Sequence, residues 1–170
     1  PRRITLSTSG IVPGIQRLAC EALAEEATIP NLAISLNATS DGVRDLLMPI
    51  NKRWNIGSLL EACRNFPLAR RRRITFEYVL IEDINDSSED AHRLAKLLQG
   101  IRNKVNLIPL NSDPLIPLKP SPPARVLAFQ EILTAQHVTV NIRRARGKDI
   151  AAACGLLAGR KPATEKPFGE

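Results

Sequence analysis

The chain has 170 residues, 44% hydrophobic, 24% charged and 4% aromatic, enough apolar material for one core and too little for two large ones. Its 24 Lys and Arg against 17 Asp and Glu give a formal charge of +7 and a sequence pI near 9.8, which directs attention to an anionic partner. The apolar content argues against disorder, no apolar run reaches the roughly 18 residues that span a bilayer, and a single domain over residues 1–170 is expected.

In chain order, Ile-, Val-, Leu- and Thr-rich runs alternate with stretches of helical spacing. A strand is predicted over residues 3–8, a helix over 15–27, a strand over 31–38, then helices over 41–48 and 56–65. A strand over 74–81, a helix over 88–99, a strand over 104–110, a helix over 124–136 and a strand over 138–143 complete the series. This alternation predicts an α/β fold with a parallel sheet, open or curved toward a barrel. Asp86, Ser87 and Ser88 supply an N-cap for the helix over 88–99, and Gly100 stands where a C′ residue belongs. Five strands do not close a barrel, and the first strand begins at once without an initiator Met or a signal-peptide core, so the chain reads as cut from a longer one.

Four strands end in polar or glycine-bearing tips: residues 7–10, 35–37, 83–86 and 111–113. The carboxyl ends of parallel strands form the ligand face of such folds, so repeated polar tips predict a pocket rim, although Ser, Asn and Asp also gather at turns. Residues 110–123 hold five of the thirteen prolines and read as a stiff extended loop over the Asn111 face, or as a linker.

Cys20, Cys63 and Cys154 are odd in number and lie 43 and 91 residues apart, matching neither a disulfide framework nor a metal knuckle. Cys20 and Cys63 fall on apolar positions of helical segments and read as packing. His92 and His137 have no metal-ligand spacing. Basic residues concentrate at Arg70 to Arg73, which read as a solvated loop, and at Arg143, Arg144, Arg146 and Lys148, where a phosphate backbone would lie close to Cys154. Among alanines and glycines, Cys154 reads either as a thiol activated by those cations or as a small packed residue.

Five runs occur in the order of a known family: residues 2–10 (RRITLSTSG), 32–36 (LAISL), 48–52 (MPINK), 105–111 (VNLIPLN) and 146–155 (RGKDIAAACG). They resemble the radical S-adenosylmethionine RNA methyltransferases that act on adenine carbon 2, and they cover nearly the whole chain. The resemblance implies the C-terminal half of a partial β/α barrel of the radical-SAM type. It also implies a cytoplasmic enzyme acting on 23S ribosomal RNA and transfer RNA, with S-adenosyl-L-methionine, a 4Fe-4S cluster and a reductant protein for that cluster. In the family, the cysteine matching Cys154 is methylated on sulfur and passes that carbon by a radical route to adenine C2, a carbon too electron-poor for polar methyl transfer. By the same match Ser7, Ser35, Leu36, Asn37 and Asn111 contact S-adenosylmethionine, while the charge of Arg143, Arg144, Arg146 and Lys148 is what suggests that they hold RNA.

The family usually has His where this chain has Asn37 and Gln where it has Leu156, and residues 19–30 form a longer segment than in many members. The CxxxCxxC cluster loop is absent from these 170 residues, so the polypeptide is expected to be inactive alone. An adenine-C8 methylase shares much of the pattern, and a non-catalytic basic RNA-binding module is the alternative from another class.

Overall fold

A computed structural model describes residues 4–24, 29–111 and 117–143. Five strands, β1 (Thr5–Thr8), β2 (Asn31–Ser35), β3 (Ile74–Leu80), β4 (Asn103–Pro109) and β5 (Val140–Ile142), pair in chain order, and every pairing is parallel. Between them run α1 (Val12–Ala24), α2 (Asp41–Leu47), a 3-10 turn (Pro49–Lys52), α3 (Ile56–Arg64), α4 (Ser88–Leu97) and α5 (Pro123–Ala135). Each crossover advances one strand in the same direction, so right-handed connections put the helices on one face and leave the other open, as in part of a β/α barrel.

Local chemistry sets the helix ends. The Ser87 hydroxyl accepts from Asp90 N at 3.1 Å while the Asp90 carboxylate accepts from Ser87 N at 3.4 Å, a reciprocal capping box that opens α4. Gly100, at φ +77, turns the chain out of α4 toward β4. Asn55 caps α3 by accepting from Ser58 N at 2.9 Å, and Pro123 opens α5, where a missing N–H costs nothing.

The core lies between sheet and helices. Leu32, Ile34, Phe76, Tyr78, Leu80, Val105 and Leu107 from the strands meet Leu59, Leu60, Leu94, Phe129 and Leu133 from the helices. The Tyr78 and Phe129 rings pack with centroids 5.5 Å apart, and Tyr78 Oη donates to the Asn85 carbonyl at 2.9 Å, so the ring is buried without stranding its hydroxyl. At the open edge, Leu6 of β1 and Ile4 just before it are exposed.

One packing expectation is corrected. Cys63 is buried in α3, but Cys20 is exposed. The buried stripe of α1 runs through Val12, Ile15 and Ala22, and Cys20 sits five residues past Ile15, roughly 140° round the helix, on the solvent side. The proline-rich stretch docks on the β3 tip: Pro120 forms an antiparallel bridge with Ile81, and Glu82 N donates to the Lys119 carbonyl at 2.9 Å.

Candidate functional site

Register builds a polar surface on the sheet face turned away from the helices. In β3 the buried Ile74, Phe76, Tyr78 and Leu80 point to the core, so Thr75, Glu77 and Val79 point the other way. Ser35 pairs with Glu77, Glu77 with Asn106, and Asn106 with Asn141, a continuous polar row across β2 to β5. Ser7 pairs with Ala33, two residues before Ser35, and therefore shares this face. Arg143, just past β5, reaches across with Nη1 3.8 Å from Glu77 Oε1, with its backbone N bonded to the Leu107 carbonyl at 2.8 Å.

Beneath the tips of β1 and β2 lies Arg44, fully buried on α2. Its guanidinium donates to the Leu36 carbonyl at 3.0 Å, the Ser9 carbonyl at 2.8 Å, the Ser35 carbonyl at 3.2 Å and Asn51 Oδ1 at 3.0 Å. Burial pushes the Arg44 pKa down, and the carboxylates of Asp41 and Asp45 act against that shift. Asn51 passes the connection on by donating to Asp41 Oδ1 at 3.0 Å and Asp45 Oδ1 at 2.7 Å, and Asp41 Oδ1 accepts from Ile56 N at 2.9 Å. Gly10 makes room for this clamp: at φ +106, its missing Cβ would lie 3.1 Å from both Arg44 Nη2 and Leu59 Cδ2.

The next tip is held by asparagines. Asn37, at φ +57, accepts from Val79 N at 2.9 Å through Oδ1, taking the place of a ladder carbonyl where β2 has ended, and its Nδ2 lies 3.3 Å from Met48 Sδ. Asn85 donates to the carbonyls of Asn37 at 2.8 Å and Val79 at 2.7 Å and accepts from Ile81 N at 2.8 Å. Arg125 of α5 donates to Asp83 and Asp86, which raises its pKa and ties the β3 tip to α5. The strand ends that form the rim are thus fixed by side chains from helices α2 and α5 and from the loops after β2 and β3, which gives a ligand preorganised contacts.

Of the expected cofactor residues, Ser7 is exposed and Ser35 half-buried on the open face. Asn111 follows the end of β4 and is half-buried. Leu36 sends its side chain fully into the core, and its N–H and carbonyl are bonded to Glu77 and Arg44, so it shapes the floor of the site. The Asn37 carboxamide is engaged within the fold. Arg143 stands at the rim beside Glu77, whereas Arg144, Arg146, Lys148 and Cys154 lie outside the described residues. Sequence reading overlooked Arg44, Asn51, Glu77, Asn106 and Asn141. A signal was present in the lone polar residue inside the apolar runs Val105-Asn106-Leu107 and Val140-Asn141-Ile142, which a ligand-facing strand position explains.

Hydroxyls, carboxamides and one carboxylate on an open face suit a ligand with amino-acid and ribose parts, so the row fits S-adenosylmethionine. An iron-sulfur cluster does not fit these residues: among the described residues no three potential ligands gather, Cys63 is in the core and Cys20 is on the outer side of α1.

No family model matches the chain. The dual-specificity RNA methyltransferase RlmN of Anaeromyxobacter sp. (strain Fw109-5) is 55% identical over 157 residues, 92% of this chain and 40% of that protein. RlmN 2 of Myxococcus xanthus (strain DK1622) is 54% identical over 159 residues, 94% of this chain and 40% of that one. A solved radical SAM methyltransferase from Sphaerobacter thermophilus superposes with a TM-score of 0.82 at 47% identity, over 91% of this chain and 44% of its own. Over more than nine-tenths of its length the chain is similar to dual-specificity RNA methyltransferases. It spans about two-fifths of the length of the curated relatives it matches. A domain of a pyruvate-formate lyase-activating enzyme from Bacteroides vulgatus, at 12% identity and a TM-score of 0.61, shares the fold alone.

Proposed function

We propose that this chain is the part of a radical S-adenosylmethionine RNA methyltransferase that binds the methyl donor and carries the methyl group to adenine C2 of ribosomal and transfer RNA. The observation that carries this reading is the Ser35–Glu77–Asn106–Asn141 row with Ser7 beside it, on the open face of the sheet, in a chain 55% identical over 157 residues to a named RNA methyltransferase. S-adenosylmethionine, with a 4Fe-4S cluster held by residues outside this chain and reduced by a partner protein, supplies the methyl group and the radical that an electron-poor carbon requires.

The chain's own residues do the rest. Ser7, Ser35 and Asn111 hydrogen-bond the donor, and Leu36 and Asn37 hold the surface on which it lies. Cys154 takes the methyl group on sulfur, and its bond to the base makes the later steps intramolecular. Arg143, Arg144, Arg146 and Lys148 neutralise phosphates as the RNA approaches. Among the described residues no helix is long and apolar enough to cross a membrane, and the cytoplasm, where the RNA substrates are, is the compartment this reading assigns.

The test is peptide mass spectrometry of Cys154 in a protein joining this chain to the remainder that its relatives carry, purified with its cluster. One added methyl group on the sulfur, together with loss of RNA methylation in Cys154→Ala, is the expected result. A bare thiol after incubation with S-adenosylmethionine and reductant, or methylation by Cys154→Ala, overturns the assignment.

A further inference from the structure

At the end of the sheet opposite the strand tips, the residues entering β3, β4 and β5 surround an open depression of about 440 Å³. Four arginines make its wall cationic: Arg71, Arg72 and Arg73 precede β3 and Arg102 precedes β4, with His137 lining the side before β5. Sequence reading treated Arg70 to Arg73 as a separate solvated loop. The fold instead brings three of those arginines beside Arg102, 29 positions beyond Arg73, because parallel strands start at the same end of the sheet.

One feature makes this more than a charged loop: the arginines are not neutralised. Arg73 donates to Thr139 Oγ1 and Arg102 donates to the Leu68 carbonyl at 3.0 Å, while none of the four lies within 4 Å of a carboxylate among the described residues. Guanidinium donors recognise phosphate, and a chain of phosphodiesters presents such groups in series.

We propose that this basin is a second contact for the RNA backbone, with Arg71, Arg72 and Arg102 on phosphates. The inference rests on the reading of the protein as an RNA methyltransferase and extends it. Six residue steps along β4 separate the basin from the rim of the site, roughly 20 Å, so a folded RNA at the rim reaches the basin with a neighbouring part of its structure.

The test is fluorescence anisotropy of a labelled RNA hairpin, and of the DNA hairpin of the same sequence, with the full 170-residue chain over a salt series. In R71A/R72A/R102A the affinity for RNA falls roughly tenfold at low salt and the slope of log affinity against log salt shrinks by about 2, with a similar change for the DNA hairpin. R71Q/R72Q, which leaves the Arg102–Leu68 bond in place, shows the same direction with unchanged circular dichroism. RNA affinity and slope equal to wild type in both variants overturn the proposal. Wild-type binding that survives these substitutions sinks the basin alone, whereas a wild-type chain that binds no RNA at low salt removes the RNA reading with it.

Discussion

Arg44 Nη1 lies 3.0 Å from Asn51 Oδ1, and this bond joins the clamp beneath the tips of β1 and β2 to the carboxylates of Asp41 and Asp45 on α2. A buried cation is tolerated here because each nitrogen of its fork meets an oxygen, three of them strand-tip carbonyls. The rim that carries Ser35 and Ser9 is therefore held by an electrostatic contact from the helix that follows it.

Arg44→Met is expected to cost about 3–5 kcal/mol, because it leaves three carbonyls and Asn51 without their donor. Arg44→Lys is expected to restore little, since a single ammonium cannot reproduce the fork. Urea denaturation monitored by circular dichroism measures both. A change below about 0.5 kcal/mol in Arg44→Met would mean that the clamp contributes nothing to the fold.

Acid should weaken the contact between the β2 tip and α4. Burial opposes ionisation of Asp90, but hydrogen bonds from Thr39, Ser87 and Arg93, with the Arg93 charge, outweigh it and hold the carboxyl below the usual range. Its folded-state pKa is depressed, so the stabilisation is fully present above the unfolded value near about 3.9 and is lost as pH falls through the folded one. Melting temperatures measured from neutral pH down to acid should fall in that window, and Asp90→Asn should be less stable at neutral pH with a shallower acid decline. An identical acid profile for both proteins would contradict this account.

The thiols should divide sharply. Burial pushes the Cys63 pKa up to about 12, only partly offset by Arg64, whereas Cys20 is exposed on α1. Iodoacetamide at pH 8 should modify Cys20 in the folded protein and leave Cys63 unmodified until urea is added, as read by peptide mass spectrometry. Rapid labelling of native Cys63 would show that α3 opens far more readily than its packing implies.

Where alternation and turn chemistry speak locally, the sequence alone determined the outcome. The strands and helices fall close to their expected positions because periods of 2 and 3.6 report which face each residue buries, and because Ser87, Asp90 and Gly100 act within a few residues of themselves. The order of the polar strand tips was legible for the same reason. Arg44 was not legible, since a charged residue on a seven-residue helix reads as solvent-facing until the carbonyls of Ser9, Ser35 and Leu36 converge on it. The Ser35–Glu77–Asn106–Asn141 row and the basin at the opposite end are likewise products of register, which unites residues 29 to 42 positions apart. Composition and spacing describe what each segment can do for itself. Only parallel pairing decided which of these side chains stand together, because hydrogen bonds between distant strands set the neighbours.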